Sequence, residues 1–420
     1  MTRLTESRGF APKAAAIALA IAALPLAYAE TGPFYVGARQ SITRDSNVYR
    51  TPTPTADWIS STGVFAGVDQ QISRQRLRVN VAGDWNRYRD TEALNHTSGS
   101  GLVRLDWETI GNLSGDVQLN HSQNLYRDYL RAADATTKTV VRSTNGAFNA
   151  RLGVVTTWTL EGGVFGTRTR YRGGLAQAGD LDYDGARVGL RYNPSSLLSV
   201  GIGVRRAEGE YPNAARPLDF RREDADLLLT WRPTATSTVD GWVSRSRWRF
   251  TQDQLRSDDL TTGSLRYSYR PGGRWHADLS IKRDNNAGQY GFDSMPLVGR
   301  ELVLTDGQAA TTRVATTVAL NGGYEITAKT RLSANFQRIE RKMDNRITET
   351  IAGLPNTVVR HASDRTHVAG LQATWDATRW LRVGCGVSQT RRTVSDNTAN
   401  LTYPYKVNTA SCTLQAALQP

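Results

Sequence analysis

The sequence predicts an all-β fold, an antiparallel transmembrane β-barrel of the kind that spans outer membranes. Apolar and polar residues alternate in eighteen runs between Phe34 and Gln419, each about ten to fifteen residues long. Very short turns and longer polar loops connect these runs in near-strict alternation, and six of the ten tryptophans lie beside the short turns. Outer-membrane barrels have short periplasmic turns, longer external loops and aromatic residues at both membrane interfaces.

The first 29 residues are predicted to be a signal peptide. Basic residues precede an apolar stretch over residues 14–26, and Ala27-Tyr28-Ala29 then supplies the small residues that signal peptidase recognises. The alternative is a membrane-anchoring helix, but the apolar stretch is shorter than the roughly 20 residues that span a bilayer. We expect residues 30–420 to form the barrel.

Composition restricts how this chain can cross a membrane. Mean hydropathy is −0.46, and after the signal peptide there is no apolar run long enough for a spanning helix. A membrane location therefore requires a closed barrel, because only a barrel satisfies the backbone of β-strands in lipid. We find no linker or composition shift that would divide residues 30–420, so we expect one domain.

Alternation is clearest within a few runs. In residues 76–86, Leu77, Val79 and Val81 share one face, while Arg76 and Arg78 share the other. The same division recurs over residues 198–205, 275–282 and 381–388. In the barrel, the apolar face of each strand should contact lipid and the polar face should line the lumen.

The connections give the orientation of the barrel. Short turns are predicted at Ile72-Ser73, Ile110-Gly111, Thr156-Thr157, Pro194-Ser195, Pro233-Thr234, Pro271-Gly272, Ala328-Lys329 and Ala377-Thr378. Longer external loops are predicted at Asp45–Asp57, Arg127–Thr139, Glu208–Leu218, Asn285–Asp306 and Asp344–Ser363. An even number of strands places both termini on the periplasmic side.

Tryptophan placement supports the barrel independently. Six tryptophans next to short turns are expected to form a periplasmic aromatic girdle, namely Trp107, Trp158, Trp231, Trp275, Trp375 and Trp380. A soluble β-solenoid or large β-sandwich, the alternative fold, has no reason to alternate loop lengths or to place Trp beside every second turn. One run, Val239–Phe250, fits poorly because its aromatic residues oppose its valines, and a β-bulge there would restore the phase.

The lumen-facing positions are rich in arginine. Strand phase predicts that basic side chains line the pore at Arg76, Arg78, Arg104, Arg151, Arg191, Arg205, Arg266, Lys282, Arg313 and Arg382. The formal net charge is +13, and only six of the 52 basic residues are lysine. Such a lumen would attract an anionic polymer. Alternatively, the arginines pair with interior acids or contact lipopolysaccharide phosphates outside the barrel.

No enzyme is expected, and no cofactor or metal site. The five histidines are scattered without metal-ligand spacing, and no nucleophile motif or phosphate-binding glycine loop is present. The basic excess has no recognition helix or basic repeat beside it, so no nucleic-acid partner is expected. Cys385 and Cys412 lie nearly opposite each other on the last two strands, where they form either a cross-strand disulfide or two lipid-facing small residues.

Several segments resemble a known family. The opening segment, Tyr35–Arg50, and Gly67–Gln75 are similar to EpsL-type outer-membrane proteins, which accompany exosortase-linked exopolysaccharide synthesis. Leu105-Asp106-Trp107 and Gly111–Gly115 resemble the same family. The sequence departs from that pattern at Ser46, where a second acid is expected, and at Pro420, where barrels usually end on an aromatic residue.

The resemblance implies export of an exopolysaccharide, expected to be anionic, through the outer membrane of a Gram-negative bacterium. Its implied partners are the polymer, outer-membrane lipid with lipopolysaccharide, and periplasmic polysaccharide export proteins. Two alternatives remain. One is a general or small-anion diffusion porin, with residues 285–306 long enough to form a constriction. The other is a surface scaffold that binds polysaccharide and has a plugged lumen.

Overall fold

The computed structural model confirms the predicted fold: one closed antiparallel barrel of 18 strands. It describes residues 32–127, 135–153, 156–173, 179–213, 219–251, 258–285, 307–351, 354–398 and 402–419. The predicted signal peptide, residues 1–29, lies outside this set, as does most of the 285–306 loop. No helix in the described ranges is long and apolar enough to cross a bilayer.

The strands follow one another around the barrel in chain order. The first nine are β1 (Phe34–Asp45), β2 (Asp57–Ile72), β3 (Gln75–Tyr88), β4 (His96–Glu108), β5 (Leu113–Leu125), β6 (Val140–Leu152), β7 (Trp158–Arg172), β8 (Leu181–Tyr192) and β9 (Leu198–Glu210). The other nine are β10 (Asp219–Thr234), β11 (Ser237–Phe250), β12 (Asp258–Tyr269), β13 (Trp275–Asn285), β14 (Gly307–Glu325), β15 (Thr330–Ile351), β16 (Leu354–Asp376), β17 (Leu381–Asn397) and β18 (Tyr405–Leu418). A short 3-10 helix, Glu92–Leu94, lies between β3 and β4.

The first and last strands close the barrel. β1 pairs with β2 on one side and with β18 on the other, from Val36 opposite Leu418 to Asp45 opposite Thr409. No strand edge is therefore left open between them. A closed ladder is what a β-structure needs in lipid, where an unpaired backbone group costs several kcal/mol.

Seven of the eight short turns lie at the predicted places, and the one predicted at Pro233-Thr234 lies two residues later, at Ala235-Thr236. Together they define one rim, which we call the short-turn rim. The opposite rim, formed by the longer connections, is the long-loop rim. One predicted loop is wrong: residues 344–351 and 354–363 are strand, and β15 pairs with β16 out to Ile351 opposite Leu354. Polar composition suggested a loop there, but backbone pairing between two adjacent strands does not require apolar side chains.

The predicted β-bulge in Val239–Phe250 is also wrong. β11 keeps an unbroken register with β12 over this run, from Val239 opposite Tyr267 to Trp248 opposite Asp258. Trp248 is buried while Arg247 and Arg249 are exposed. The aromatic side chains thus face the lumen and the arginines face outward near the long-loop rim, so no change of phase is needed.

The two faces of the wall differ in chemistry. Large apolar side chains are exposed at alternate positions of nearly every strand, for example Val64, Val81, Val164, Ile202 and Val243. Exposed aliphatic residues in a continuous band form a surface for lipid chains. The opposite face of each strand carries hydrogen-bonded polar and charged side chains and lines the lumen.

The six girdle tryptophans lie on the lipid-facing side close to the short-turn rim. Five have exposed side chains, namely Trp158, Trp231, Trp275, Trp375 and Trp380. Trp107 is half-buried and stacks on Phe148, with ring centroids 6.2 Å apart. Tyr192 and Tyr324 are also exposed beside Trp158 and Trp275. This arrangement is that of an interfacial aromatic belt.

Barrel closure predicts a specific crosslink. Thr413 Oγ1 donates to Ser41 Oγ at 3.0 Å across the β1–β18 seam. In a Cys385→Ser, Cys412→Ser background, the Ser41→Cys, Thr413→Cys variant should therefore oxidise to a disulfide. Thiol labelling followed by mass measurement would show loss of both free thiols.

The matched control pairs Ser41→Cys with Leu414→Cys, because Leu414 is exposed on the lipid side of the same seam. That pair should keep both thiols. If the control crosslinks and the first pair does not, the register of the seam is shifted by one residue.

Candidate inner wall of a channel

Nine of the ten predicted pore-lining residues lie on the lumen face of their strands. The strand registers place Arg78 directly opposite Arg104 and Arg76 opposite Asp106, and they place Arg187 opposite Arg205. Arg313 lies in β14 opposite Met343, but its side chain is outside the described part of the chain. Strand phase therefore locates these residues on one face, although it does not give their partners.

Most of these basic side chains are paired with carboxylates. Near the short-turn rim, Arg76 Nη2 lies 2.7 Å from Asp69 Oδ2, and Arg382 Nε lies 2.5 Å from Asp376 Oδ1. Lys282 Nζ lies 3.3 Å from Asp284 Oδ2. Asp69 and Asp376 were not identified from the sequence, because each pairs across a hairpin whose register strand phase alone does not fix.

Asp106 connects two of the predicted arginines. Arg78 Nη2 donates to Asp106 Oδ2 at 2.6 Å, and Arg104 Nε donates to Asp106 Oδ1 at 2.9 Å. All three side chains are about one-third exposed. This carboxylate therefore separates two like charges that face each other across β3 and β4.

The pairing continues around the wall. Asp116, almost fully buried, accepts from Arg151 Nη2 at 2.9 Å and from Asn149 Nδ2 at 2.8 Å. Asn149 Oδ1 in turn accepts from Arg187 Nη2 at 2.8 Å. Nearer the short-turn end of β8, Arg191 Nε lies 2.9 Å from Glu161 Oε1 on β7. Arg187 was missed at the sequence level, although it lies in phase with Arg191 on the same strand.

Closer to the long-loop rim, β9–β11 hold a buried polar network. Arg222 Nε donates to Asp224 Oδ1 at 2.8 Å, and both side chains are at most 3% exposed. Arg205 Nε lies 2.7 Å from Asp226 Oδ2. The Arg222 guanidinium also lies over the Trp248 ring, 4.9 Å from its centroid. The buried guanidinium of Arg222 requires these contacts, because an unpaired charge at this depth would destabilise the fold.

An aromatic cluster continues this network toward the long-loop rim. It comprises the buried side chains of Phe165, Tyr183, Phe220 and Trp248, with Tyr211 and Phe250 packed against them. Phe220 lies at its centre, with ring centroids at 5.0 Å from Trp248 and 5.9 Å from Tyr183. These aromatic side chains occupy space on the lumen side of β7–β11.

The inner wall is therefore close to electrically balanced where the structure describes it. Eight of the ten predicted basic residues have a carboxylate within 4.0 Å. Arg266 lies opposite Asp240 in the β11–β12 register. The alternative in which these arginines pair with interior acids accounts for these contacts.

The two cysteines lie on the lipid-facing side, directly opposite each other in the β17–β18 register. The structure joins Cys385 and Cys412 as a disulfide. Within the described ranges, no group of three or more His, Cys, Asp or Glu side chains converges as a metal site.

The wall as a whole identifies the location. A closed barrel with an exposed apolar band, an aromatic belt at one rim and a charged interior is built to span a bilayer through strands. Barrels of this kind occupy the outer membrane of Gram-negative bacteria. The chain is an outer-membrane β-barrel with porin-like architecture.

Comparisons with known proteins identify no family for this chain. No protein-family model matches the sequence, and no curated protein matches it either. Among solved structures, OpdK of Pseudomonas aeruginosa with vanillate is 10% identical, with a TM-score of 0.44, covering 92% of this chain and 98% of that chain.

Two further structures are similar to the same extent. OccK2 (OpdF) of Pseudomonas aeruginosa in complex with glucuronate is 12% identical and has a TM-score of 0.44. OccAB3 of Acinetobacter baumannii is 10% identical and has a TM-score of 0.44. Each alignment covers 92% of this chain and 98% of the other. These values carry no conclusion about what passes through the barrel.

Burial predicts which inner ion pairs matter for stability. Asp224→Asn leaves the buried Arg222 without its carboxylate, so the free energy of unfolding should fall by about 3 kcal/mol. The measurement is urea unfolding of the refolded barrel in lipid vesicles, followed by tryptophan fluorescence.

Asp69→Asn is the matched control, because Asp69 and Arg76 are both about half exposed. An exposed pair contributes little, so this substitution should leave the unfolding midpoint unchanged. Equal effects at the two positions would contradict the stabilising role of the buried network.

Proposed function

We propose that this barrel is a passive outer-membrane channel for hydrophilic solutes. The observation that carries the proposal is the inner wall of a closed 18-strand barrel, which is lined by polar and ion-paired side chains. Barrels of 16 to 18 strands are wide enough to leave an aqueous lumen. Nothing in such a wall supplies energy, so solutes move down their own gradients.

Selectivity in this channel arises from paired charges and not from a uniformly basic lumen. Arg78, Arg104 and Asp106 together carry a net charge of +1, and Arg76 with Asp69 carries none. Alternating charges orient polar solutes and bind either sign weakly. A weak preference for anions is therefore expected, smaller than the net charge of the whole chain suggests.

Export of an exopolysaccharide is the second candidate. The sequence resemblance to EpsL-type proteins favours it, and a wide lumen with closely spaced polar groups would let a sugar chain slide without tight binding. In that role, periplasmic export proteins would deliver the polymer to the short-turn rim. A scaffold that binds polysaccharide on its outer loops over a plugged lumen would instead carry no current.

Single-channel conductance in planar bilayers tests the channel and its lining. Asp106→Asn removes the carboxylate between Arg78 and Arg104, so the anion-to-cation permeability ratio should rise about twofold. Reversal potentials in a salt gradient report this ratio. The polymer candidate adds one expectation: purified exopolysaccharide added to the periplasmic side blocks the current.

Glu340→Gln is the matched control. Glu340 also lies between two arginines, Arg338 and Arg365, but on the lipid-facing side that carries the exposed Phe336. Its removal should leave the permeability ratio unchanged. Absence of current in the wild-type protein would refute the channel and favour the scaffold, and a shift with the control but not with Asp106→Asn would refute the assigned lining.

A further inference from the structure

A groove lies on the outer wall of β8–β12, near the long-loop rim. It has a volume of about 590 Å³ and is lined by Ala186, Val188, Val204, Arg206, Glu223, Ala225, Arg245, Arg247 and Asp259, with the intervening residues of the same strands. The paired strands place these nine residues on one face. Because that face continues into the exposed apolar band, the groove opens toward lipid and not toward the lumen.

The strand registers arrange the groove in rows. Val188, Val204, Ala225 and Arg245 lie side by side across β8–β11. The row above, toward the long-loop rim, contains Ala186, Arg206, Glu223, Arg247 and Asp259. In the row below, the neighbouring side chains of Ile202, Leu227 and Val243 are all apolar, and each is more than half exposed. Small side chains at 186 and 225 create the depression between these rows.

Basic charge predominates at the upper edge of the groove. Arg245, Arg247 and Arg249 project outward from alternate positions of β11 and are 52–63% exposed. They share one carboxylate, Asp259, from which their nitrogens lie 3.9, 3.7 and 3.5 Å away. Glu223 lies opposite Arg247 in the β10–β11 register. Two acids therefore face three guanidinium groups, and these five side chains keep a net charge of +1.

The position of these arginines above an apolar row limits the kind of ligand that the groove can bind. They lie directly above the exposed apolar row of Ile202, Leu227 and Val243, on the side of the long-loop rim. Headgroups of the outer leaflet are expected beside this edge of the apolar band. Guanidinium groups recognise phosphate with paired donors, while the apolar row below suits acyl chains. A ligand that satisfies both parts carries phosphate on a sugar headgroup and hydrocarbon chains beneath it.

We propose that this groove binds a phosphorylated, acylated glycolipid of the outer leaflet, the lipid portion of lipopolysaccharide. Its phosphate lies against Arg245 and Arg247, and one acyl chain follows Val204, Ile202 and Leu227 down the wall. Lipid binding on this outer face is independent of what passes through the lumen. The outward arginines of β11 then help to anchor the barrel among its lipids.

Native mass spectrometry of the refolded full-length barrel in detergent tests this site. The probes are bisphosphorylated lipid A, the same lipid without its phosphates, and inorganic phosphate. The wild-type barrel should retain bisphosphorylated lipid A, and the Arg245→Gln, Arg247→Gln variant should bind it about tenfold more weakly. The dephosphorylated lipid should bind the wild-type barrel about as weakly as the variant binds lipid A.

Two further variants make the result specific. Arg168→Gln, Arg170→Gln is the charge-matched control, because these outward arginines lie on β7 beside Asp182 and do not line the groove. It should bind like wild type. Ala225→Phe fills the depression without changing charge and should weaken lipid binding as strongly as loss of the two arginines.

Each remaining outcome overturns the proposal. If the Arg168→Gln, Arg170→Gln control loses as much lipid A binding as the Arg245→Gln, Arg247→Gln variant, the lipid is attracted by positive charge in general and not by this groove. Displacement of the lipid by millimolar inorganic phosphate would mean a free-anion site. If the dephosphorylated lipid binds as tightly as lipid A, the phosphate is not recognised. If Ala225→Phe binds lipid A as tightly as the wild type, the groove is not the binding site. Each variant is first checked for the compact, heat-sensitive gel mobility of the folded barrel.

Discussion

Closure of the backbone ladder between β1 and β18 is the constraint on which everything else depends. A strand in lipid cannot leave its amides and carbonyls unpaired, so the sheet must return to its own first strand. Once it does, every residue is committed to the lipid side or the lumen side by its parity along the strand. The chemistry of both walls, including which arginines meet carboxylates, follows from that commitment.

The two walls use the same residue types in different ways. Inside, arginines and acids alternate across neighbouring strands and neutralise one another, as Asp106 does between Arg78 and Arg104. Outside, near the long-loop rim, Arg245, Arg247 and Arg249 share Asp259, and Glu223 lies opposite Arg247. Part of the basic excess of the chain thus faces the membrane surface. Total charge alone does not say which wall carries it.

The sequence predicts features that depend on neighbouring residues, but it does not predict most of the ion pairs between strands. Strand number, the eight turns and the lumen side of Arg76 or Arg382 follow from period-two alternation, which needs only neighbouring residues. Asp69, Asp224 and Asp376 become partners only through cross-strand register, which alternation does not encode. Polar composition predicts a loop over residues 344–363, but backbone pairing between β15 and β16 decides that segment. In the run before Phe250, aromatic residues face the lumen and arginines face outward, which reverses the usual assignment of apolar residues to the lipid side.

Unequal strand lengths make the external mouth oblique. β15 and β16 contain 22 and 23 residues, whereas β13 contains 11. At roughly 3.4 Å per residue, β15 is about 75 Å long and β13 about 37 Å. The membrane band is only about 25 Å tall. The hairpin of β15 and β16 therefore extends tens of ångströms beyond the membrane band, much farther than β13 does, so this part of the external mouth has a wall of paired strands above the bilayer.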